Sequence, residues 1–233
     1  MLNPDQLAAR IDHTLLKQDC THEQIQKLCA EAREHGFASV CVPPYFVPVA
    51  AEALLGSSVA VCTVIGFPLG YSTTAIKLAE ATEALVMGAI ELDMVMNVAA
   101  LKSGEEAAVQ HDIRALAELC HSHQAILKVI IETAVLSTEE IRRACDLCAT
   151  AGADFVKTST GFASRGASVE DVRLMRDQLP SNIRIKAAGG IRTHAQAVAL
   201  VLAGADRLGA SAGVALLTSP PQDDDSAHET SAY

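Results

Sequence analysis

The sequence is short of aromatic residues, of basic residues and of long apolar runs. Aromatic residues make up 3% of its 233 residues and tryptophan is absent, so the core must be built from Ala, Val, Leu and Ile. Such a core suits parallel strands covered by helices. The formal net charge of -10 argues against nucleic acid and anionic membrane as partners, because both bind clusters of Lys and Arg. We therefore expect a small-molecule ligand, and any phosphate bound would be small and held locally.

No segment has the pattern of a targeting or membrane-spanning sequence. The N-terminus, "MLNPDQLAARIDHTLL", lacks a basic region followed by an apolar run, and no stretch of about 18 apolar residues occurs. The seven cysteines are scattered through apolar segments, which fits a reducing compartment better than a disulfide framework. One CxxC pair, Cys145 and Cys148, falls in a helical pattern without a second pair, so we interpret it as core packing. These features predict a soluble, cytoplasmic protein.

Apolar, β-branched segments alternate with helical segments along the chain. Several helical segments, such as 137–152 and 193–204, open with Ser or Thr and close on Gly. Eight such βα units predict a single-domain (β/α)8 TIM barrel, with its active site at the C-terminal ends of the strands. A doubly wound open sheet is the alternative, but the GxGxxG fingerprint expected in its first βα turn is absent. The predicted strand segments are 10–16, 39–42, 59–67, 89–95, 125–133, 154–159, 183–189 and 206–211.

The C-terminal segment differs in composition from the rest of the chain. From residue 218 onward it reads "TSPPQDDDSAHETSAY", with two prolines, an acidic run and small polar residues. This composition is typical of a segment that cannot bury enough apolar surface to fold alone. We therefore predict a barrel over residues 1–217 and a flexible acidic tail over residues 218–233.

Four charged residues lie inside the apolar strand segments: Asp93, Lys128, Lys157 and Lys186. Lysine is rarely buried unless it is paired or used. Lys157 and Lys186 lie near the ends of consecutive strands, so we expect their side chains to lie side by side. For Lys128 and Asp93, a structural salt bridge is the competing interpretation. A purely structural role for the other two lysines needs two anions, and the local sequence offers few.

Two adjacent lysines are an arrangement that favours a nucleophilic amine. A free lysine, with a pKa near 10.4, is almost entirely protonated at pH 7, and only the neutral amine attacks a carbonyl. A second positive charge about 6 Å away costs about 2.8 kcal/mol at an effective dielectric near 20, or about two pKa units. Desolvation acts in the same direction. The pattern therefore predicts one Schiff-base lysine and one lysine that keeps it neutral.

Two glycine-containing loops follow the last two predicted strands, "KAAGGIRT" and "LGASAGV". Barrels bind phosphate at this location, through backbone N–H groups that precede a helix. Either loop alone is an ordinary βα loop, but together they favour a phosphorylated ligand. His121 and His123 precede a strand and belong to the opposite face, so we expect no metal there. His13 neighbours Asp12 at the end of the first strand, where packing or hydrogen bonding is an interpretation as good as catalysis. Cys41 closes the second strand on the active face, and we interpret it as a small buried residue that would meet aldehydes only if exposed.

Several motifs resemble those of the deoxyribose-phosphate aldolases, a family of class I aldolases with the (β/α)8 fold. The motifs are "ASVCVPP", "KVIIET", "ADFVKTSTGF", "IKAAGGIRT" and "RLGAS", and the resemblance covers roughly residues 5–217. It implies reversible cleavage of 2-deoxy-D-ribose 5-phosphate to D-glyceraldehyde 3-phosphate and acetaldehyde, without a metal or organic cofactor. It also implies phosphosugars and aldehydes as the ligands, and an assembly that is often a homodimer.

The resemblance also implies roles for individual residues. Lys157 corresponds to the Schiff-base lysine, and Lys186 to the lysine whose charge favours its neutral form. Asp93 and Lys128 correspond to a proton-relay pair that acts through water, and Tyr233 to a terminal tyrosine that assists proton transfer. Residues implied to line the sugar site are Asp12, Thr158 and Gly161, and those implied to hold phosphate are Gly189, Gly190 and Ser211.

The chain departs from the family pattern at two positions. Ala212 replaces a second serine in the last phosphate loop and removes a hydroxyl donor, and Arg165 replaces a glycine, either to bind an anion or to lie in solvent. Two other functions remain open on the residues alone. One is a phosphosugar isomerase that uses Asp or Glu without a covalent step, and the other is a barrel that binds sugar phosphate without turnover.

Overall fold

Eight parallel strands form a closed barrel in the computed structural model, which describes residues 3–218 except the side chain of Thr218. The strands pair in chain order, and β1 closes the barrel by pairing with β8. This closure confirms the predicted (β/α)8 barrel and excludes the open sheet. The strands are β1 (Ile11–Thr14), β2 (Ser39–Val42), β3 (Ala60–Ile65), β4 (Glu91–Val95), β5 (Ile126–Ile130), β6 (Phe155–Lys157), β7 (Arg184–Ala188) and β8 (Arg207–Ala210).

Helices connect the strands within residues 3–218. Two short 3-10 helices, Pro44–Phe46 and Thr133–Val135, follow β2 and β5. The α-helices are α1 (Pro4–Ala8), α2 (His22–His35), α3 (Val47–Ala53), α4 (Thr74–Val86), α5 (Val98–Lys102), α6 (Glu106–Ser122), α7 (Thr138–Ala151), α8 (Val169–Gln178), α9 (His194–Leu202) and α10 (Gly213–Thr218). None of the described helices is long and apolar enough to cross a membrane.

Side-chain caps fix where several helices begin. Ser137 accepts a hydrogen bond from the backbone N–H of Glu140, and the Glu140 carboxylate accepts one from the Ser137 N–H. Thr193 and Gln196 form the same reciprocal arrangement before α9. Such capping boxes satisfy two backbone donors that the helix itself leaves free. At its other end, α7 stops at Gly152, whose φ of 88° is the left-handed conformation that glycine adopts readily.

The faces of the barrel strands carry different residues. On β4, Leu92 and Met94 belong to the apolar core between barrel and helices. The alternate residues, Glu91 and Asp93, are buried inside the barrel, where they contact charged side chains. Side chains alternate between the two faces of a strand, so this pattern follows from the sequence of β4. The interior therefore contains ion pairs where many barrels have aliphatic layers.

The two cysteines of the CxxC pair belong to the core. Cys145 and Cys148 are buried in α7, which confirms core packing, and burial raises the pKa of Cys145 to about 12. All seven cysteines are free thiols.

Thr218 belongs to α10 and not to the predicted tail. The remainder of that tail, 219–233, and with it Tyr233, lies outside the described residues.

Candidate active site

The four in-strand charged residues meet inside the barrel. Asp93 on β4 is in register with Lys128 on β5, and Lys157 on β6 is in register with Lys186 on β7. Residues in register on adjacent strands direct their side chains to the same face. The structure thus confirms that Lys157 and Lys186 lie side by side, and it brings the Asp93–Lys128 pair to them.

Asp93 is the centre of this cluster. Its Oδ2 accepts hydrogen bonds from Lys157 Nζ and Lys186 Nζ, each at 2.7 Å, and its Oδ1 accepts one from Lys128 Nζ at 2.9 Å. The four side chains are at most 3% exposed. Burial by itself would raise the pKa of Asp93, but the three ammonium groups outweigh it and hold that pKa well below its usual range. Asp93 is therefore a carboxylate, and it anchors the Lys157 amine.

Further acids inside the barrel compensate the other lysines. Asp12 Oδ2 lies 2.6 Å from Lys186 Nζ, and Glu91 Oε2 lies 2.6 Å from Lys128 Nζ. Burial would lower the pKa of Lys186, but Asp12 and then Asp93 raise it well above its ordinary value. Lys186 is therefore a permanent cation beside Lys157. The local sequence offers few anions, as expected, but strands remote in sequence supply Asp12 and Glu91.

A cavity of about 300 Å³ opens above the cluster at the C-terminal ends of β1, β6, β7 and β8. Of the candidate residues, Lys157, Gly161, Gly189, Gly190 and Ser211 line it. This is the end of the barrel at which barrel enzymes have their active sites. Lys157 thus connects the charged interior with a cavity large enough for a small substrate.

Two sequence-predicted sugar-site residues lie beneath the cavity wall. Asp12 is fully buried and contacts Lys186 and Arg207. Thr158 is also buried, and its hydroxyl donates to the carbonyl of Ala188 at 3.2 Å and accepts from the Ala188 N–H at 3.1 Å. Asp12 therefore belongs to the cluster of charged side chains inside the barrel, and Thr158 links the ends of β6 and β7.

Glycines shape the end of the cavity at which the sequence predicts phosphate binding. Gly189 and Gly190 have φ angles of 87° and 77°, which other residues rarely adopt, and they turn the chain after β7. Two exposed cations, Lys17 and Arg192, line the same cavity, as does Ser211. Backbone turns of this kind combined with nearby cations suit a small anion.

Glu132 was missed by the sequence analysis. It follows β5 with φ 55° and ψ 67°, a strained conformation for a residue with a side chain. Its Oε2 accepts hydrogen bonds from the Thr160 hydroxyl and from the Thr160 N–H at 3.2 Å. The Thr160 hydroxyl in turn accepts from the Phe162 N–H at 3.1 Å. Glu132 thereby holds the cavity loop after β6, and only its place at a strand end in "KVIIET" could have signalled this.

Other candidates have structural partners. His121 is 3.1 Å from Asp154, which precedes β6, so it lies on the face opposite the cavity, as predicted. His13 packs outward and contacts Glu31 at 2.7 Å. Cys41 is fully buried in the barrel.

Arg165 makes contacts that link three segments. It forms an ion pair with Asp171 on α8, and it donates to the carbonyl of Thr133 at 2.9 Å. Arg165 is 43% exposed and pairs with Asp171, so it is partly solvated and also binds an anion. Its anion is a side chain of this chain, and the contacts fix the loop after β6.

The family model and the similar curated proteins point to one family. The model of the DeoC/LacD family aldolases matches residues 7–219. A deoxyribose-phosphate aldolase of Brevibacillus brevis is 55% identical over 208 residues, covering 89% of this chain and 93% of the relative. A solved putative deoxyribose-phosphate aldolase from Coccidioides immitis superposes with a TM-score of 0.88 at 50% identity, covering 92% of this chain and 85% of that one. A structure described as a unique tetrameric deoxyribose phosphate aldolase from Aeropyrum pernix gives 0.87 at 36% identity, covering 92% and 91%.

Proposed function

Because the chain belongs to the DeoC/LacD aldolase family, we propose that it reversibly cleaves 2-deoxy-D-ribose 5-phosphate to D-glyceraldehyde 3-phosphate and acetaldehyde. The proposal makes it a class I aldolase, a carbon–carbon lyase that uses a lysine Schiff base. The observation that carries it is Lys157, an amine at the floor of the cavity that is held by Asp93 at 2.7 Å. A buried lysine beside a second, permanently charged lysine suits nucleophilic attack on a carbonyl.

The reaction begins at the amine of Lys157. In its neutral form it attacks the C1 aldehyde of the open-chain sugar phosphate, and loss of water gives an iminium ion. Removal of the proton from the C3 hydroxyl breaks the C2–C3 bond, and the iminium accepts the electron pair. D-Glyceraldehyde 3-phosphate leaves, and an enamine remains on Lys157. Protonation of the enamine carbon and hydrolysis release acetaldehyde and regenerate the amine.

The neighbours of Lys157 supply charge and protons in this scheme. Lys186 stays cationic and disfavours a second ammonium group beside it. Asp93 and Lys128, paired at 2.9 Å, serve as the relay that moves protons through a water molecule to and from the substrate. Tyr233 is proposed to assist protonation of the enamine, on the family resemblance alone. The scheme uses no metal and no organic cofactor.

The substrate phosphate is assigned to the loops after β7 and β8. Gly189, Gly190 and Ser211 line that end of the cavity, and the exposed cations Lys17 and Arg192 lie at the same cavity. Gly161 lines the wall beside Lys157. Asp12 and Thr158 support this site from below through Lys186 and Ala188. The missing hydroxyl at Ala212 is expected to weaken phosphate binding rather than abolish it.

Location and assembly follow from the same proposal. Seven free thiols, six of them buried, fit the reducing cytoplasm, where we place the enzyme. The family resemblance implies a homodimer, and the tetramer described for the Aeropyrum pernix protein is the alternative. Sedimentation equilibrium distinguishes the two.

The test is trapping of the covalent intermediate. The protein is incubated with acetaldehyde or deoxyribose 5-phosphate, reduced with borohydride and digested, and the adduct is located by mass spectrometry. We expect rapid labelling at Lys157 with both compounds and none at that site in Lys157→Ala. Slow labelling spread over surface lysines, unchanged in the variant, would remove the Schiff-base mechanism. An isomerase would convert a phosphosugar without an adduct, and a binding protein would turn over neither compound.

A further inference from the structure

Six side chains inside the barrel form a closed ring of alternating charge. Arg207 on β8 contacts Asp12 through one guanidinium nitrogen, and through another it contacts Glu91 Oε1 at 2.9 Å. Asp12 lies 2.6 Å from Lys186, and Glu91 lies 2.6 Å from Lys128. The ring closes because both lysines contact the same carboxylate, that of Asp93.

The ring is neutral by itself, and Lys157 lies outside it. Three cations, Arg207, Lys128 and Lys186, alternate with the carboxylates of Asp12, Glu91 and Asp93. Lys157 contacts only Asp93 within this network, at 2.7 Å, and the charge of Asp93 is already shared by two ring lysines. A protonated Lys157 therefore gives the buried network a net positive charge, whereas a neutral Lys157 leaves it uncharged. Excess charge in a buried site is costly.

We propose that Glu91 and Arg207, through this ring, are positioning residues that select Lys157 as the one lysine of the cluster to release its proton. The inference rests on the proposed function. Neither residue touches the cavity, since Glu91 and Arg207 are the first residues of β4 and β8 and lie at the opposite end of the barrel. They act by fixing Lys128 and Lys186 as cations and by setting the total charge next to Lys157.

Charged and titratable groups surround Lys157 and the ring on all the other strands of the barrel. Cys62 is part of the same cluster, because its Sγ lies 3.2 Å from Asp93 Oδ1 and 3.4 Å from Lys128 Nζ. Burial raises the pKa of Cys62 well above that of a free thiol, so it stays neutral over the pH range of the test. The groups are Asp12 on β1, Cys41 on β2, Cys62 on β3, Glu91 and Asp93 on β4, Lys128 on β5, Lys186 on β7 and Arg207 on β8.

The test uses two variants that change the net charge of the ring in opposite directions. Glutamine is isosteric with glutamate and shorter than arginine. Glu91→Gln leaves the ring with one excess positive charge, and Arg207→Gln leaves it with one excess negative charge. The readout is the pH midpoint of single-turnover Schiff-base formation with acetaldehyde, trapped with cyanoborohydride. We expect the midpoint to move to lower pH in Glu91→Gln and to higher pH in Arg207→Gln. A charge of this kind several ångströms away shifts a midpoint by about one pH unit.

The double variant Glu91→Gln, Arg207→Gln separates charge from structure. Its ring is neutral again, so we expect its midpoint to return to within about 0.3 pH units of the unmodified protein. Surface variants Glu34→Gln and Arg173→Gln change the total charge in the same two directions at exposed positions. They are matched controls, and we expect no shift in either because solvent screens them. Circular dichroism checks that each variant is folded.

The outcomes separate this inference from the proposed function. If no adduct is trapped at Lys157 in the unmodified protein, the proposed function itself is overturned. Normal trapping with midpoints that coincide in both single variants, or that move in the same direction, would overturn the role of the ring alone. If a single variant does not fold, the double variant decides, because a midpoint displaced by a full pH unit despite the restored neutrality contradicts the proposal.

Discussion

The shape of the loop after β7, to which the substrate phosphate is assigned, depends on the single residue Gly166. A Cβ atom at this position would lie 2.0 Å from the carbonyl oxygen of Gly189 and 2.3 Å from its carbon. Because the obstacle is backbone, a substitution must displace the loop after β7, which lines the cavity.

We therefore expect Gly166→Ala to raise the KM for deoxyribose 5-phosphate about tenfold and to lower the free energy of unfolding by about 1–3 kcal/mol, as overpacking does. Steady-state kinetics and urea denaturation measure the two effects. Gly104→Ala is the control: φ there is 76° but nothing lies within 4 Å of the added Cβ, so only stability should fall, by about 1 kcal/mol. An unchanged KM in Gly166→Ala would show that the loop absorbs the Cβ without harm to the site.

Single residues also show what the sequence could and could not reveal. Lys157, Lys186 and Asp93 were predicted because a charge inside an apolar strand is rare and needs a reason. Glu91 lies two positions before Asp93, so strand alternation alone could have placed it in the interior. Arg207 begins its strand, where a charge is ordinarily solvated, and nothing in its neighbours indicates two buried carboxylates. The strain at Glu132 is a backbone property that residue type does not reveal.

At the scale of elements, the start of α7 depends on a capping box and on an ion pair. The Ser137 and Glu140 side chains each accept a backbone hydrogen bond, and Lys102 on α5 donates to Glu140 at 2.6 Å. The hydrogen bond from Lys102, with that from the Ser137 N–H, lowers the pKa of Glu140 to about 2. The carboxylate therefore keeps its charge at any pH at which the enzyme is expected to work.

Removal of the cap should lower stability without altering catalysis. We expect Ser137→Ala to reduce the free energy of unfolding by about 1 kcal/mol, since one N-terminal donor of α7 loses its partner. Ser137→Asp, which keeps an acceptor at the cap, should stay within a few tenths of a kcal/mol of the unmodified protein. Thermal and urea denaturation test this, and kcat and KM should not change, because Ser137 does not line the cavity. Equal stability of the two variants would mean that the cap contributes nothing.

Element boundaries were less predictable than element order. The predicted fifth strand extends to residue 133, but β5 ends at Ile130 because the chain turns at Glu132 into a 3-10 helix. Apolar composition alone does not distinguish the end of a strand from the loop that follows it. Helices of five residues, such as α1 and α5, are shorter than the window over which helical periodicity can be recognised.

At the scale of the whole molecule, barrel closure brings together charges that are remote in sequence. Arg207 reaches Asp12 across the β8–β1 contact that closes the barrel, and Lys186 reaches Asp93 across the interior. Eight βα units were enough to predict the barrel, and hence that Lys157 and Lys186 are neighbours. The βα pattern could not predict which carboxylates compensate the charges of the lysines. The pairing depends on which inward-facing residues lie at the same height in the barrel.

Below neutral pH, the buried network should make the stability of the barrel insensitive to pH until strong acid is reached. The pKa values of Asp12 and Asp93 lie below their ordinary values, because nearby cations outweigh burial. Their stabilising contribution is therefore complete above the unfolded-state pKa, about 3.9, and is lost as the pH falls below it. The pKa values of Lys128 and Lys186 are raised, so their contribution is complete below about pH 10.4 and is lost only at higher pH.

We expect the free energy of unfolding, measured by urea denaturation at fixed protein concentration, to be nearly constant between pH 5 and 7 and to fall steeply below about pH 4. Because the ion pairs are buried, the position of the acid transition should change little between about 0.15 and 1 M NaCl, whereas exposed pairs would be screened. A steep loss of stability that already begins between pH 7 and 5 would show that groups other than the barrel carboxylates set the acid sensitivity.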